Sequence, residues 1–315
     1  MTSRSFSSGD LDLTGELTDA GCRLVTGPPN HDLDVLRDAL TSATAWIAGT
    51  GPVSAAHLDA APHLRLVARY GVGVEAVDVA AAADRGVLVT NTPGANSDAV
   101  ADHAVALMLA LLRDVTVGDR AVRGGDWQVR RGRQLGSVIV GLVGLGRIGR
   151  GVAARLQGFG TTVLGYDPYV DAASLGLGVE GVGLAELAAR SDLITLHLPG
   201  EEVIVDEGFL DLVRSSTMLV NTSRASLVDE SAVAGRLRTG RLRGYAADVL
   251  GSEAGAAENP LLAADLTDRT VLTPHVAAQT VEAVDGMGRG AVDAVLALLN
   301  GQHPPNVVPV PGGVR

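Results

Sequence analysis

The chain has 315 residues, 46% of them hydrophobic, and its 36 acidic and 25 basic side chains leave a net charge of −11. That length predicts two domains of ordinary size, and the acidic balance argues against nucleic acid or an anionic membrane surface as a partner. The single Cys22 excludes an intrachain disulfide or a CxxC metal site and fits a reducing cytoplasm.

In chain order, alternating short apolar runs and amphipathic stretches predict strand and helix in turn. The Ser-rich stretch from Met1 to Asp10 has no apolar signal core. Cys22 to Thr26 reads as a strand, Leu33 to Leu40 as a helix and Ala45 to Ile47 as a strand. A helix over Val53 to Ala60 follows, with strands over Arg65 to Ala68 and Val87 to Thr90. The long run Ala99 to Leu112 carries Asp102 and His103, so it reads as a helix and not as a membrane span. Ser137 to Val143 and Thr161 to Tyr166 are apolar runs on either side of an amphipathic stretch through Ala153, Leu156 and Phe159. Beyond them come helices near Leu184 to Ala189 and Asp229 to Leu237, and strands over Leu193 to Leu198, Met218 to Asn221, Gly244 to Val249 and Val271 to Leu272. A long amphipathic segment, Val276 to Leu299, leads to a Pro-rich tail. Such alternation predicts an α/β fold of two Rossmann-like, doubly wound parallel-sheet domains with a cleft between them. The first domain is expected to be discontinuous, 1–98 with 283–315, and the second to span 99–282.

Between the two apolar runs lies Gly144-x-Gly146-x-x-Gly149, directly after the first of them. The first glycine permits a tight strand-to-helix turn, the second lets backbone approach a pyrophosphate, and the third lets helix and strand pack closely. The helix N-terminus then offers free N–H groups to the anion. Asp167 ends the second run, eighteen residues past Gly149. An acid there accepts hydrogen bonds from the adenosine ribose and repels a 2′-phosphate, so the expected cofactor is NAD.

Polar stretches close three later strand candidates, where open α/β sheets place their ligands. They are Asn221 to Glu230, with Arg224; Ala247 to Glu253, with Asp248; and Leu272 to His275. An Arg clamps a carboxylate with two bonds and polarises the adjacent carbonyl. A His exchanges a proton near neutral pH, and a neighbouring carboxylate raises its pKa and orients it.

The whole set resembles the D-isomer-specific 2-hydroxyacid dehydrogenases, a family that includes phosphoglycerate, glycerate, D-lactate and phosphite dehydrogenases. The resemblance runs through Val67 to Asp78, Thr90 to Asn96, Ala101-Asp-His103, the glycine motif, Asp192 to Pro199, Val220 to Arg224, Ala247-Asp248, Asn259 to Leu262 and Thr273-Pro-His275. It implies Arg224 as the carboxylate clamp, His275 as the acid/base and Glu253 as its partner. It implies Asp248 as the holder of the nicotinamide amide and Arg147-Ile148 as the cover of the pyrophosphate. Val100, His197, Leu198, Pro199, Thr222, Ser223 and Ala277 complete the implied cofactor set. Arg69 and the loop Tyr70-Gly71-Val72-Gly73 would meet the substrate, the loop through its backbone N–H groups.

The implied reaction interconverts a small anionic 2-oxo acid and its D-2-hydroxy acid in a cytoplasmic homodimer. Gly49 stands where phosphoglycerate members often carry Arg, Pro199-Gly-Glu-Glu202 replaces the usual Pro-Leu-Thr loop, and Ala225 replaces a common Gly. Phosphite or phospho-oxo-acid chemistry on the same frame is the rival inside the enzyme class. An NAD-sensing interaction protein is the rival outside it. Asp102-His103 reads as a structural pair and Trp127 as a packing or dimer-interface anchor. His31, His57, His63 and His303 lack ligand spacing, so no metal is expected.

Overall fold

A computed structural model describes residues 1–200, 202–251 and 259–310. The chain divides into two compact units, Met1–Asn96 with the chain from Ala278 onward, and Ser97–Ala277.

The first unit runs α1 (Leu13–Asp19), α2 (Leu33–Thr41), β1 (Ala45–Ala48), α3 (Ala55–Asp59), β2 (Leu66–Arg69), α4 (Val79–Asp84) and β3 (Leu88–Thr90). Its strands form a parallel sheet in the order β1-β2-β3. Period-two alternation splits β2 between two cores. Val67 packs among Leu36, Leu40, Val53, Leu58 and Val89 on one face. Leu66 and Ala68 face Leu13, Leu17, Met287, Ala291 and Val295 on the other. Cores on both faces explain why these strands are apolar up to their last residues, Arg69 and Thr90.

The expected strand over Cys22 to Thr26 does not form. Met1 and Thr2 lie between that segment and β1: the Met1 ammonium donates to the Val25 carbonyl at 2.7 Å, Gly27 N–H to Met1 O at 2.9 Å, and Thr2 N–H to Ile47 O at 3.1 Å. The segment therefore has no ladder with β1 to join.

The second unit runs α5 (Ser97–Leu112), α6 (Val115–Arg123), β4 (Ile139–Val143), α7 (Arg147–Gln157), β5 (Thr162–Tyr166), β6 (Glu180–Gly181), α8 (Leu184–Arg190), β7 (Leu193–Leu196), α9 (Glu207–Leu212), β8 (Met218–Asn221), α10 (Glu230–Arg238), β9 (Gly244–Ala247) and β10 (Thr270–Leu272). All of its strand pairs are parallel, in the order β10-β9-β8-β7-β4-β5-β6. The chain leaves β4 to one side for β5 and β6, then returns to the other side for β7 through β10, so the switch point lies between β4 and β7. Val140, Leu142, Val220 and Ala246 pack under α5 and α7 on one face. Val143, Ile194, Leu219 and Tyr245 pack under α8, α9 and α10 on the other.

The chain then returns to the first unit through α11 (Val281–Leu299), capped by the Thr280 hydroxyl. The helix starts five residues later than the apolar pattern alone predicts, because Val276 and Ala277 are held in a loop described below. Beyond it, the backbone of Val308 donates to Val89 O, which ties the C-terminal segment to β3.

His31 sits in the first unit, buried, with Nε2 2.6 Å from the Thr2 hydroxyl and Nδ1 3.0 Å from Pro52 O. Burial is the main force pushing its pKa down to about 4. The Pro52 carbonyl opposes that shift, and nearby Arg69 and His57 add to it. The folded state therefore favours the neutral ring, and protons bind preferentially to the unfolded chain. His31 should contribute stability that is complete above about pH 6.5 and lost as the pH falls toward 4. Urea midpoints measured from pH 7 to pH 4 should fall more steeply for the wild type than for His31→Asn, which keeps the left-handed backbone (φ +55°) acceptable. Equal slopes would remove His31 from the acid response.

Candidate active site

Parallel register lays out the site. Tyr166 pairs with Val143, Val143 with Leu196, Leu196 with Asn221, Asn221 with Ala247, and Ala247 with Leu272. Six strand ends thus form one row across the sheet. The residues leaving that row are Asp167, Gly144, His197, Thr222, Asp248 and Thr273. At about 4.8 Å per strand the row is roughly 24 Å long, and all its loops emerge on the carboxyl side, where such sheets bind ligands.

The turn after β4 is closed by backbone contact. Gly144 has φ +104°, and a Cβ on it would lie 2.6 Å from the His197 carbonyl carbon and 2.8 Å from Leu198 N. A Cβ on Gly149 would collide with the Gly144 carbonyl oxygen. Gly146 is different: a Cβ there would meet nothing within 4 Å, and the residue is exposed as the N-cap of α7 with no side-chain cap. The N–H groups of the first helical turn are left to face an anion. Arg147 is exposed and Ile148 half-buried beside this end.

Asp167 is already engaged. One oxygen accepts from Leu145 N–H at 2.8 Å, and the other from Tyr169 and Val170 N–H at 2.8 and 3.1 Å. It ties the loop after β5 to the glycine turn, and a carboxylate has about four acceptor positions, so one remains for a ribose hydroxyl.

His197 is buried, with Nε2 3.1 Å from the Thr195 hydroxyl. Its Nδ1, like the buried Thr222 hydroxyl, has no hydrogen-bond partner among the described residues. Burial pushes the ring's pKa down to about 3, so it is neutral at ordinary pH. Open backbone at Gly146, an uncapped helix end and two unsatisfied polar atoms on the same row fit a dinucleotide. The Ser223 hydroxyl donates to Leu198 O, joining the loops after β7 and β8. Pro199 is exposed, and Val100 is buried on α5.

The buried Asn221 side chain shapes the Arg224 loop. It donates to Arg224 O at 2.9 Å and accepts from Ser223 N–H at 3.0 Å. The half-buried Arg224 donates from Nη1 to Ser223 O at 2.9 Å.

Asp248, 1% exposed, anchors the third loop. Its carboxylate accepts from the Thr273 hydroxyl at 2.5 Å, Val276 N–H at 2.9 Å and Ala277 N–H at 2.8 Å. Its carbonyl accepts from His275 N–H at 2.9 Å. His275 is exposed in the left-handed region, at φ +54°. For a residue with a Cβ that conformation costs about 1–2 kcal/mol, which the bonds from Asp248 offset. Glu253, expected to partner His275, lies outside the described residues.

Arg69 and the 70–73 loop belong to the first unit. Arg69 is buried and donates to Gly73 O at 2.8 Å and Ala48 O at 3.3 Å, so it shapes that loop. Gly71 has φ +139°, and Tyr70 donates to Ser5 O and Val284 O. Gly49 has no space for a side chain: its Cβ would stand 2.5 Å from Thr2 O.

Asp102 and His103 are not a pair with each other. Asp102 takes Arg155 of α7, whereas His103 reaches the Thr273 hydroxyl at 2.9 Å. Sequence reasoning placed Asn221 and Thr273 in ligand-side polar stretches without giving either a role, and read His103 as structural. Among the described residues no group of three or more His, Cys, Asp or Glu side chains is placed to hold a metal ion, and no helix is long and apolar enough to cross a membrane.

Residues 105–277 match the family described as D-isomer specific 2-hydroxyacid dehydrogenase, NAD binding domain. The chain belongs to this family. A D-3-phosphoglycerate dehydrogenase of Mycobacterium leprae is 39% identical to this dehydrogenase-family chain over 298 residues, 93% of this chain and 54% of the relative. This chain thus spans about half the length of that relative. A glyoxylate reductase of Korarchaeum cryptofilum is 37% identical, covering 89% of this chain and 86% of the relative. The crystal structure of TT0316 from Thermus thermophilus superposes with a TM-score of 0.87 at 31% identity, covering 96% of this chain and 97% of that one. The matched stretch, 105–277, lies within the Ser97–Ala277 unit.

Gly144→Ala should lower the melting temperature, since its Cβ meets backbone that cannot move aside. Gly146→Ala should melt with the wild type yet weaken NADH binding about tenfold or more, through lost close approach. Thermal melts beside fluorescence titrations test both. Unimpaired NADH binding by Gly146→Ala would remove the glycine turn from the cofactor site.

Proposed function

We propose that the chain is an NAD-dependent oxidoreductase that interconverts a small 2-oxo acid and its D-2-hydroxy acid. Supporting this reading above all is the single row of strand ends, from which the Asp167, glycine-turn, Arg224, Asp248 and His275 loops all depart. Bound NADH supplies the reducing equivalent. Arg224 holds the substrate carboxylate with its planar fork and polarises the neighbouring carbonyl. His275 gives its proton to the carbonyl oxygen as charge develops there, and takes one from the hydroxyl in the reverse direction. Glu253 is assigned the part of orienting and charging the ring. Arg147 and Ile148 cover the pyrophosphate. Val100, His197, Leu198, Pro199, Thr222, Ser223, Asp248 and Ala277 surround the rest of the cofactor, and Arg69 with the 70–73 loop serves the substrate. We assign the substrate part to 1–98 with 283–315 and the nucleotide part to 99–282.

The substrate tail is taken to be small. Phosphoglycerate members often place an Arg where this chain has Gly49, and no side chain fits there without displacing Thr2. A cytoplasmic homodimer completes the reading, supported by the apolar Trp127 and Val129, 78% and 96% exposed.

NADH consumption against glyoxylate, hydroxypyruvate, pyruvate, 2-oxoglutarate and phosphonopyruvate tests the reaction. Turnover is expected with at least one carboxylate 2-oxo acid. Turnover with phosphonopyruvate alone would favour a phosphono-oxo acid, NAD reduction by phosphite would favour phosphite oxidation, and neither activity would favour an NAD-sensing protein. His275→Ala should reduce kcat about 10²-fold or more, and near-normal turnover would remove it as the acid/base. Arg224→Lys should also fail, because an ammonium lacks the two-bond fork.

Cofactor choice is a separate test. With Asp167 on the row, NADPH should serve far less well than NADH, and equal kcat/KM values for the two would overturn its part as a 2′-phosphate excluder.

A further inference from the structure

We infer that His103 and Thr273 are positioning residues that hold His275 in its working orientation through Asp248. The inference rests on the proposed role of His275. It starts from a run of hydrogen bonds inside the nucleotide unit: His103 Nε2 to the Thr273 hydroxyl at 2.9 Å, and that hydroxyl to Asp248 Oδ1 at 2.5 Å.

The direction of each bond follows from donor capacity. An ionised carboxylate only accepts, so Thr273 spends its single hydroxyl hydrogen on Asp248. Its oxygen must then accept from His103, which fixes a hydrogen on Nε2. The same ring nitrogen is 3.6 Å from Asp248 Oδ1, so any positive charge on His103 would act on that carboxylate directly.

Asp248 passes the constraint on. Its two oxygens take the N–H groups of Val276 and Ala277, and its carbonyl takes that of His275. Three consecutive amides are thus tied to one residue on the neighbouring loop, and the first belongs to a His in a left-handed conformation. Asp248 can rotate about its side-chain torsions, and rotation would release Val276 and Ala277 together. Thr273 stops that rotation, and His103 stops Thr273 from turning its hydroxyl elsewhere. His103 is supplied by α5, 170 residues earlier in the chain, so the helix that opens the nucleotide unit sets the angle of the loop near its end.

Misplacing a reacting group by about 1 Å can cost on the order of 10²-fold in rate, so loosening this clamp should act on kcat. Thr273→Val, close in shape but without the hydroxyl, should lower kcat about tenfold while the KM for the oxo acid stays within about twofold. Thr273→Ser restores the hydroxyl and should retain most of the activity. His103→Leu should behave like Thr273→Val, and His103→Gln, whose amide can still donate, should recover part of the loss. Amide hydrogen exchange gives a readout independent of turnover: Val276 and Ala277 should exchange about tenfold faster in Thr273→Val and His103→Leu than in the wild type. Should Thr273→Val not fold, the His103 pair carries the test. Wild-type kcat in both Thr273→Val and His103→Leu, equal losses in the conservative and disruptive variants, or unchanged exchange at both amides would overturn the inference. Absence of any 2-oxo acid turnover in the wild type would instead defeat the proposed reaction, and the exchange rates would still decide whether His103 and Thr273 hold the loop.

Discussion

Parallel strands in step with one another are the constraint on which the site depends. Once β5, β4, β7, β8, β9 and β10 share a register, their last residues form a line, and each connection must leave the sheet beside its neighbours. Ligand-facing residues far apart in sequence are then gathered without any contact of their own. The backbone meets a steric limit at the switch point. The turn after β4 passes so near the end of β7 that Gly144 has no room for a Cβ against His197, while Gly149 has none against Gly144 itself. Two glycines answer to the fold, and the exposed Gly146, which meets no such limit, is the one we assign to the cofactor.

That division separates what was legible from what was not. Met218–Asn221 is bounded to the residue because a strand buried on both faces is a continuous apolar run ended by polar turn residues. The strand–turn–helix around the glycine motif and the strand ending before Asp167 are legible because they lie within one βαβ unit. Cys22 to Thr26 has the composition of a strand and fails as one, since composition does not say whether a neighbouring edge is available. Here Met1 and Thr2 stand between the segment and β1. The delayed start of α11 is another non-local effect. Val276 and Ala277 suit a helix, yet Asp248 takes their N–H groups for the loop.

Residues that support the site were the least legible part. Asn221 reads as the end of a strand, and only the fold reveals that its amide binds both Ser223 and Arg224. Asp102 and His103 are adjacent in sequence and invite a joint reading. Adjacent positions on a helix point about 100° apart, however. Asp102 turns to Arg155 and His103 to Thr273. The pairing that matters for His103 spans 170 residues, a distance at which local pattern carries no information.

The same logic bears on Gly49, where the resemblance to phosphoglycerate members implies an Arg. Thr2 O occupies the position a Cβ would need, and the Thr2 hydroxyl accepts from Trp46 Nε1 and Gly49 N–H while contacting His31. Restoring a long cation at position 49 would require the Thr2 backbone to move and the buried contacts around its hydroxyl to be remade. Arg69, at the end of β2, is buried and already donates to Ala48 and Gly73. Gly49 is thus closed to a cation, in keeping with the small substrate, its carboxylate on Arg224, that we propose.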